Sequence, residues 1–312
     1  MTGTAIVCSG QGAQSASMFD LLADAPEAAP VFEAATTLLD GRDPRELVRQ
    51  ASSQDIHTNH LGQILCCTQT MAAWAVIRGK LSGPLVMAGY SVGELGAWGV
   101  AGLMDAAEVL RLAVQRAAAM DAATTEPSGL VAIRGLKRDT LDPICTAHGA
   151  YIAIINASDQ MLVGGTRTAL AAVITDAEAA GAVRATLLAV EVASHTPLLK
   201  TASIQFGRDL ADAHLPGRMP ANVRLLSGID GAPVFAVAAG AEKLARQIRQ
   251  TVDWAACMST CRESNVSKVI ELGPGNALAR LMQNAIPNVD AHSLSEFHSL
   301  DGFLQWIKRP AS

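Results

Sequence analysis

The stretch Leu85-Val-Met-Ala-Gly-Tyr-Ser91-Val-Gly-Glu-Leu95 carries the fold and the chemistry together. A β-prone run, Leu85 to Ala88, meets Gly89-x-Ser91-x-Gly93, and a helical segment follows at once. That is the strand-turn-helix context a nucleophile elbow requires. Glycines on both sides of Ser91 let the backbone turn sharply and hold the serine in a strained conformation, with Oγ at the C-terminal edge of the strand. The next helix turns its positive end towards any oxyanion formed there, and the Val92 N–H is the natural first donor to it. A glycine-rich turn around an inert serine would carry the same letters; its place between a strand and a helix favours a nucleophile.

Outward from the elbow, Thr4 to Cys8, Val223 to Leu226 and Lys268 to Leu272 also read as strands, separated by helix-periodic segments. This alternation argues for a parallel sheet covered on both faces. The longest helix is predicted from about Leu61 to Lys80, stopped by Ser82-Gly83-Pro84, and a second runs from Asp105 to about Ala122 with Asp105 and Glu108 as a capping pair. The loop Ser9-Gly10-Gln11-Gly12-Ala13-Gln14 follows the first strand. It lacks the third glycine and the distant acidic residue of a dinucleotide loop, and the Gln11 backbone suits a second oxyanion donor better. Between Gly129 and Val190 the order is strand (129–134), helix (139–148), strand (151–156), strand (161–165), helix (167–180), strand (183–190). This is the β-α-β-β-α-β order of a ferredoxin-like unit. The expected organisation is therefore one core made of residues 1–125 and 194–312, with residues 126–193 inserted into it.

The helix from Asp105 sets Leu112, Arg116 and Met120 on one line with Val109 and Ala113 beside them, so Arg116 points among apolar neighbours. A guanidinium there needs a carboxylate, and its fork suits bidentate capture of one. Two partners stay open: a protein Asp or Glu, or the carboxylate end of a substrate's acyl group. A serine nucleophile also needs a base, and the histidines are His57, His60, His148, His195, His214, His292 and His298. His195, with Pro197 just beyond, lies where the inserted unit rejoins the core. An α/β-hydrolase order would instead favour His292, with Glu271 or Asp253 as its acid. His57 and His60 read as solvated, and His148 as a helix-end residue.

Composition closes off several classes. The apolar runs are too short to span a bilayer, and the first residues have no basic start before an apolar stretch, so a cytoplasmic protein is expected. The net charge of -5, with no run of basic residues, gives no footprint for nucleic acid. Six cysteines at irregular spacings read as reduced thiols; Cys257 and Cys261, one helical turn apart, read as small core residues rather than metal ligands.

Five motifs in order, Gly10-Gln-Gly-Ala-Gln14, Gly89-Tyr-Ser-Val-Gly-Glu94, Arg116, Ser194-His195 and Glu271-Leu-Gly-Pro-Gly275, resemble the malonyl-CoA:acyl-carrier-protein transacylases over nearly the whole chain. The resemblance implies an α/β-hydrolase-like parallel-sheet core with an inserted ferredoxin-like subdomain. It implies Ser91 as the acylated residue, His195 as its base, Gln11 and Val92 as the oxyanion hole, and Arg116 and Met120 against the malonyl group. Gln247 matches the position whose backbone carbonyl orients the histidine in place of an acid. Malonyl-CoA and an acyl carrier protein are the implied substrate and partner, with no metal or redox cofactor. Tyr90 stands where the family usually has His, and Ser9 where it often has Pro. The run Gly89 to Gly99 looks most like the branch serving bacterial malonate decarboxylase, its epsilon subunit, whose carrier bears a phosphoribosyl-dephospho-CoA arm. Malonyl transfer in fatty-acid or polyketide synthesis is the alternative, and a serine esterase or thioesterase is the rival of another class.

Overall fold

The computed structural model describes residues 3–309, which form ten strands: β1 (Gly3–Cys8), β2 (Leu85–Gly89), β3 (Ser128–Arg134), β4 (Tyr151–Ala157), β5 (Gln160–Thr166), β6 (Arg184–Leu187), β7 (Val223–Leu225), β8 (Val252–Asp253), β9 (Val266–Leu272) and β10 (Asp290–Ser293). One sheet has the order β10-β9-β1-β2-β7, every pair parallel. Because side chains alternate across a strand, β1 sends Ile6 and Cys8 into one apolar layer and Ala5 and Val7 into the other. A strand buried on both faces is apolar on both, which is why Ala5 to Cys8 and Leu85 to Ala88 carry no polar alternation. Helices cover both faces, giving an α/β fold with a parallel sheet.

The second sheet has the order β6-β3-β5-β4-β8. Its first four strands pair antiparallel, with helices Arg138–Ala147 and Arg167–Ala179 between them, and enclose a core of their own around Val131, Ile133, Val163 and Leu170. The two-residue strand β8, from the far part of the chain, adds to β4 in parallel. Only Arg184–Leu187 of the predicted strand 183–190 lies in the sheet. Leu188 N still donates to the Leu130 carbonyl at 2.9 Å, but beyond it the Val190 carbonyl accepts from Arg167 and the chain leaves the sheet edge towards Val192 and His195. Neither β8 nor the short polar β10 was expected from the sequence.

The helix Asn59–Ile77 is buried on almost its whole circumference and contains no Asp, Glu, Lys or Arg. An all-round apolar helix packs between layers rather than on a surface. Beside it runs the helix Ala106–Ala123, started by Asp105 accepting from Glu108 N at 2.8 Å. Its buried face holds Val109, Leu112, Ala113, Arg116 and Met120, the line the periodicity predicts. Among the described residues no helix is long and apolar enough to cross a membrane.

Candidate active site

Strand β2 ends at Gly89, and the helix Gly93–Val100 begins four residues later. Between them Ser91 sits at φ 57°, in the left-handed region that a non-glycine residue occupies only where its surroundings hold it there. A side chain at Gly93 would run into the Cys8 carbonyl, and one at Gly89 into the backbone of Glu94. The elbow is thus packed against β1 and against its own helix, and both glycines are required by close approach. The Gly10 loop lies on the other side: a Cβ there would stand 2.7 Å from the Tyr90 carbonyl. Among the described residues, the backbone N–H groups of Gln11 and Val92 donate to no protein acceptor. The Gln11 side chain is turned away, reaching the Thr58 and Asn59 carbonyls at 3.4 and 3.3 Å.

His195 also adopts a left-handed conformation, φ 63°. Its N–H donates to the Ile248 carbonyl at 2.8 Å, and the neighbouring Thr196 packs over Gly164 of β5, where a Cβ would lie 2.7 Å from the threonine methyl. The second sheet therefore helps to fix the turn that presents the imidazole. Nε2 stands 2.8 Å from Ser91 Oγ, and Nδ1 stands 2.7 Å from the Gln247 carbonyl. A carbonyl only accepts, so Nδ1 carries the proton and Nε2 is left free to accept from the serine. Burial, reinforced by the nearby charge of Arg116, pulls the His195 pKa down to about 3, so the imidazole is neutral at ordinary pH.

Arg116 is buried, and its Nη1 and Nη2 donate to two amide oxygens, Gln63 Oε1 at 2.6 Å and Gln247 Oε1 at 3.1 Å. Among the described residues no carboxylate pairs with it. Of the two partners left open by the sequence, a protein Asp or Glu is thereby set aside. Burial lowers the Arg116 pKa to about 10, which still leaves it charged near neutrality. Met120, one turn along, is buried with Sδ 3.4 Å from Gln63 Nε2. Ser91, His195, Gln247 and Arg116 thus form one connected set, although they come from four separate segments.

The hydrolase-like arrangement is not present. His292 is on β10, beside Asp290 and Glu296 and edge-on to Phe297 and Trp306. Glu271 accepts from Ser9 Oγ at 2.7 Å and from the N–H groups of Leu278 and Ala279, tying β9 to the helix after it. Asp253 accepts from Ala256 N at 2.9 Å and caps the next helix. Each of these acids serves a structural bond, so proximity in chain order misled. His148 does end a helix, where it meets Asp176 at 2.6 Å, and Cys257 and Cys261 both face the core.

Two hydrogen-bond neighbours of this set, Gln63 and Glu94, had no role assigned from the sequence. Gln63 is a buried polar side chain on the helix Asn59–Ile77, and Glu94, only 1% exposed, is the one charged residue of an otherwise apolar helix. For Glu94 that isolation was the available signal, since a buried polar group requires a partner.

A buried histidine on an elbow serine, with open backbone donors beside it, is an arrangement able to carry acyl transfer through the serine. The chain belongs to the acyl transferase domain family, whose sequence profile matches residues 5–297, and is an acyltransferase. It is 31% identical over 304 residues to the malonyl CoA-acyl carrier protein transacylase of Mycobacterium tuberculosis H37Rv, covering 95% of this chain and 98% of that one. With the Escherichia coli K12 protein of the same name the identity is 29% over 308 residues, 95% and 97% of the two chains. Among solved structures, an acyl-carrier-protein S-malonyltransferase from Burkholderia pseudomallei superposes with a TM-score of 0.88 at 30% identity, covering 97% of this chain and 99% of that one. A malonyl transacylase solved with its type II polyketide acyl-carrier protein gives 0.89 at 28%, again covering 97% and 99%.

Proposed function

We propose that the protein transfers a malonyl group from malonyl-CoA to the thiol of an acyl carrier protein through a malonyl ester on Ser91. His195 Nε2 takes the Ser91 proton as Oγ attacks the thioester carbonyl. The Gln11 and Val92 N–H groups hold the oxyanion, and on its collapse the CoA sulfur leaves with the proton from His195. The carrier thiol then repeats these steps in reverse. The Gln247 carbonyl stabilises the imidazolium that forms at each stage, in the place of an acid. Arg116 receives the malonyl carboxylate through N–H groups not used by Gln63 and Gln247, and Met120 packs along the acyl group.

The observation that carries this reading is a buried arginine, hydrogen-bonded to two amides and to no carboxylate, joined through Gln247 to the Ser91–His195 pair. The names of the relatives support malonyl-CoA as donor and an acyl carrier protein as acceptor. Intact mass after mixing with malonyl-CoA tests it: one malonyl group should appear on the protein, at Ser91, and leave when a carrier is added. No mass gain rejects the reading; a gain lost to water as fast as to any carrier supports the thioesterase class.

We also read the first four strands of the second sheet, with their two helices, as a ferredoxin-like unit of residues 126–193 inserted into an α/β-hydrolase-like core of 1–125 and 194–312. The strand order and antiparallel pairing support it.

A second reading concerns the carrier. The comparisons favour the acyl carrier protein of fatty-acid synthesis, whereas Tyr90 and the run Gly89 to Gly99 favour the malonate decarboxylase carrier. Tyr90 adjoins Ser91 and sets its ring edge-on to Trp254 at 5.6 Å, where a histidine would be smaller and polar at both ends. Faster transfer to a carrier with a phosphoribosyl-dephospho-CoA arm than to one with phosphopantetheine supports the decarboxylase branch, and the reverse order supports fatty-acid or polyketide synthesis.

A further inference from the structure

Glu94 is a buried carboxylate three residues past Ser91 and takes no part in the steps above. Its Oε2 accepts from Gln247 Nε2 at 2.7 Å, and the same amide nitrogen donates to the Ser91 carbonyl at 2.9 Å. The other end of that amide, Oε1, accepts from Arg116 Nη2. A primary amide has two orientations, and here only one is allowed. Turned over, its NH2 would face the guanidinium donors and its oxygen would face a carboxylate and a carbonyl. The backbone N–H of Gly228 also donates to Glu94, and a Cβ at Gly228 would lie 2.5 Å from Glu94 Oε2, so a glycine there leaves the carboxylate its room.

The second amide on Arg116 is anchored in the same fashion. Gln63 Nε2 donates to Asn59 Oδ1 at 2.8 Å, and Asn59 Nδ2 donates to Asp121 Oδ1 at 2.8 Å. Gln247 therefore ends directly on a carboxylate and Gln63 ends on one through Asn59, and neither carboxylate pairs with Arg116 itself. Carboxylates in direct contact would occupy the fork; one amide back (Glu94) or two (Asp121), they fix its direction and leave donors free.

We infer that Glu94 is a positioning residue for acyl selectivity: by fixing the Gln247 amide it aims Arg116 at the carboxylate of the incoming acyl group. This rests on the malonyl reading of the site. Glu94 touches no reacting atom, so its effect should fall on the binding of a carboxylate-bearing donor and spare the chemistry of Ser91.

Two variants of nearly unchanged bulk test the inference, with half-saturation and maximal rate of Ser91 acylation measured for malonyl-CoA and acetyl-CoA. Glu94→Asp keeps the charge but withdraws it by one methylene from Gln247. It should raise the malonyl-CoA half-saturation by about tenfold, the loss expected for one charged hydrogen bond, with the maximal rate and acetyl transfer held within about threefold. Glu94→Gln keeps an accepting carbonyl at full length and should recover most of the malonyl affinity. Parallel losses for the two donors, or Glu94→Asp equal to wild type with malonyl-CoA, overturn the inference. So does Glu94→Gln weaker for malonyl-CoA than Glu94→Asp. Wild-type protein that takes acetyl but no malonyl group defeats the malonyl reading itself, and the inference with it.

Discussion

Replacing Arg116 by Ala separates binding of the acyl carboxylate from the chemistry at Ser91. The guanidinium is buried and charged, with its hydrogen bonds going to neutral amide oxygens. A malonyl carboxylate would complete a buried ion pair, and removing one partner of such a pair costs about 3–5 kcal/mol. Since each 1.4 kcal/mol is a factor of ten, malonyl acylation should fall by roughly a hundredfold or more. The same substitution strands the Gln63 and Gln247 oxygens, at about 1–3 kcal/mol each. That loss precedes the choice of donor, so acetyl-CoA serves as the control for it. The quantity to measure is the ratio of malonyl to acetyl kcat/KM for Ser91 acylation in wild type and Arg116→Ala. A ratio that drops by about two orders of magnitude bears out the assignment. An unchanged ratio, both donors slowed alike, makes Arg116 a structural residue and refutes the reasoning.

Further outcomes follow from the same geometry. Ser91→Ala should take up no malonyl mass, and Ser91→Gly should also be inactive yet more stable by about 1 kcal/mol, because glycine relieves the left-handed strain; denaturant midpoints check the second part. His195→Ala should slow acylation by about 10²–10⁴-fold, whereas His292→Ala, remote from Ser91, should leave the single-turnover rate within about twofold. The pH profile has a definite sign: His195 titrates at about 3 in the free protein, so its basic form persists as pH falls, and kcat/KM should show no loss centred near 6.5. A limb at 6.5 in stopped-flow acylation would contradict that. Glu271→Ala should lower stability by about 2–4 kcal/mol, since it leaves the Ser9 hydroxyl and two helix N–H groups without an acceptor.

What the sequence disclosed tracks how local the physics is. The Ser91 elbow was legible because its strand, its glycines and its helix are contiguous, and Arg116 because a 3.6-residue period alone places it on an apolar face. The histidine was not: His195 and His292 differ only in which turn the fold brings to β2, and the resemblance to a family, not residue chemistry, pointed to His195. Gln247 was legible by the same route for its backbone carbonyl, while its side chain, bonded to Ser91, Glu94 and Arg116 at once, belongs to contacts 131 to 156 residues apart in sequence. Glu94 lies within that network and was marked only as the last letter of the elbow motif, with no role attached, while Gln63 is one of several polar residues on its helix and had no local mark at all. Strands β8 and β10 failed for another reason, being too short and too polar for any periodicity to register.

The charges of the site make sense only with a substrate present. Burial drives His195 and Arg116 towards their neutral forms, and the arginine's charge holds the histidine down further. An imidazole at about 3 is reliably unprotonated but a weak base. A malonyl carboxylate on Arg116 would offset the arginine's share of that depression and leave the larger share, from burial, in place. An acetyl group brings no such charge and leaves the base weak. Amide partners leave the arginine's charge uncompensated in the protein, so a carboxylate on the acyl group would be its first counter-charge. A permanent carboxylate at that position would satisfy the arginine, raise the histidine at all times, and leave the acyl group nothing to contribute.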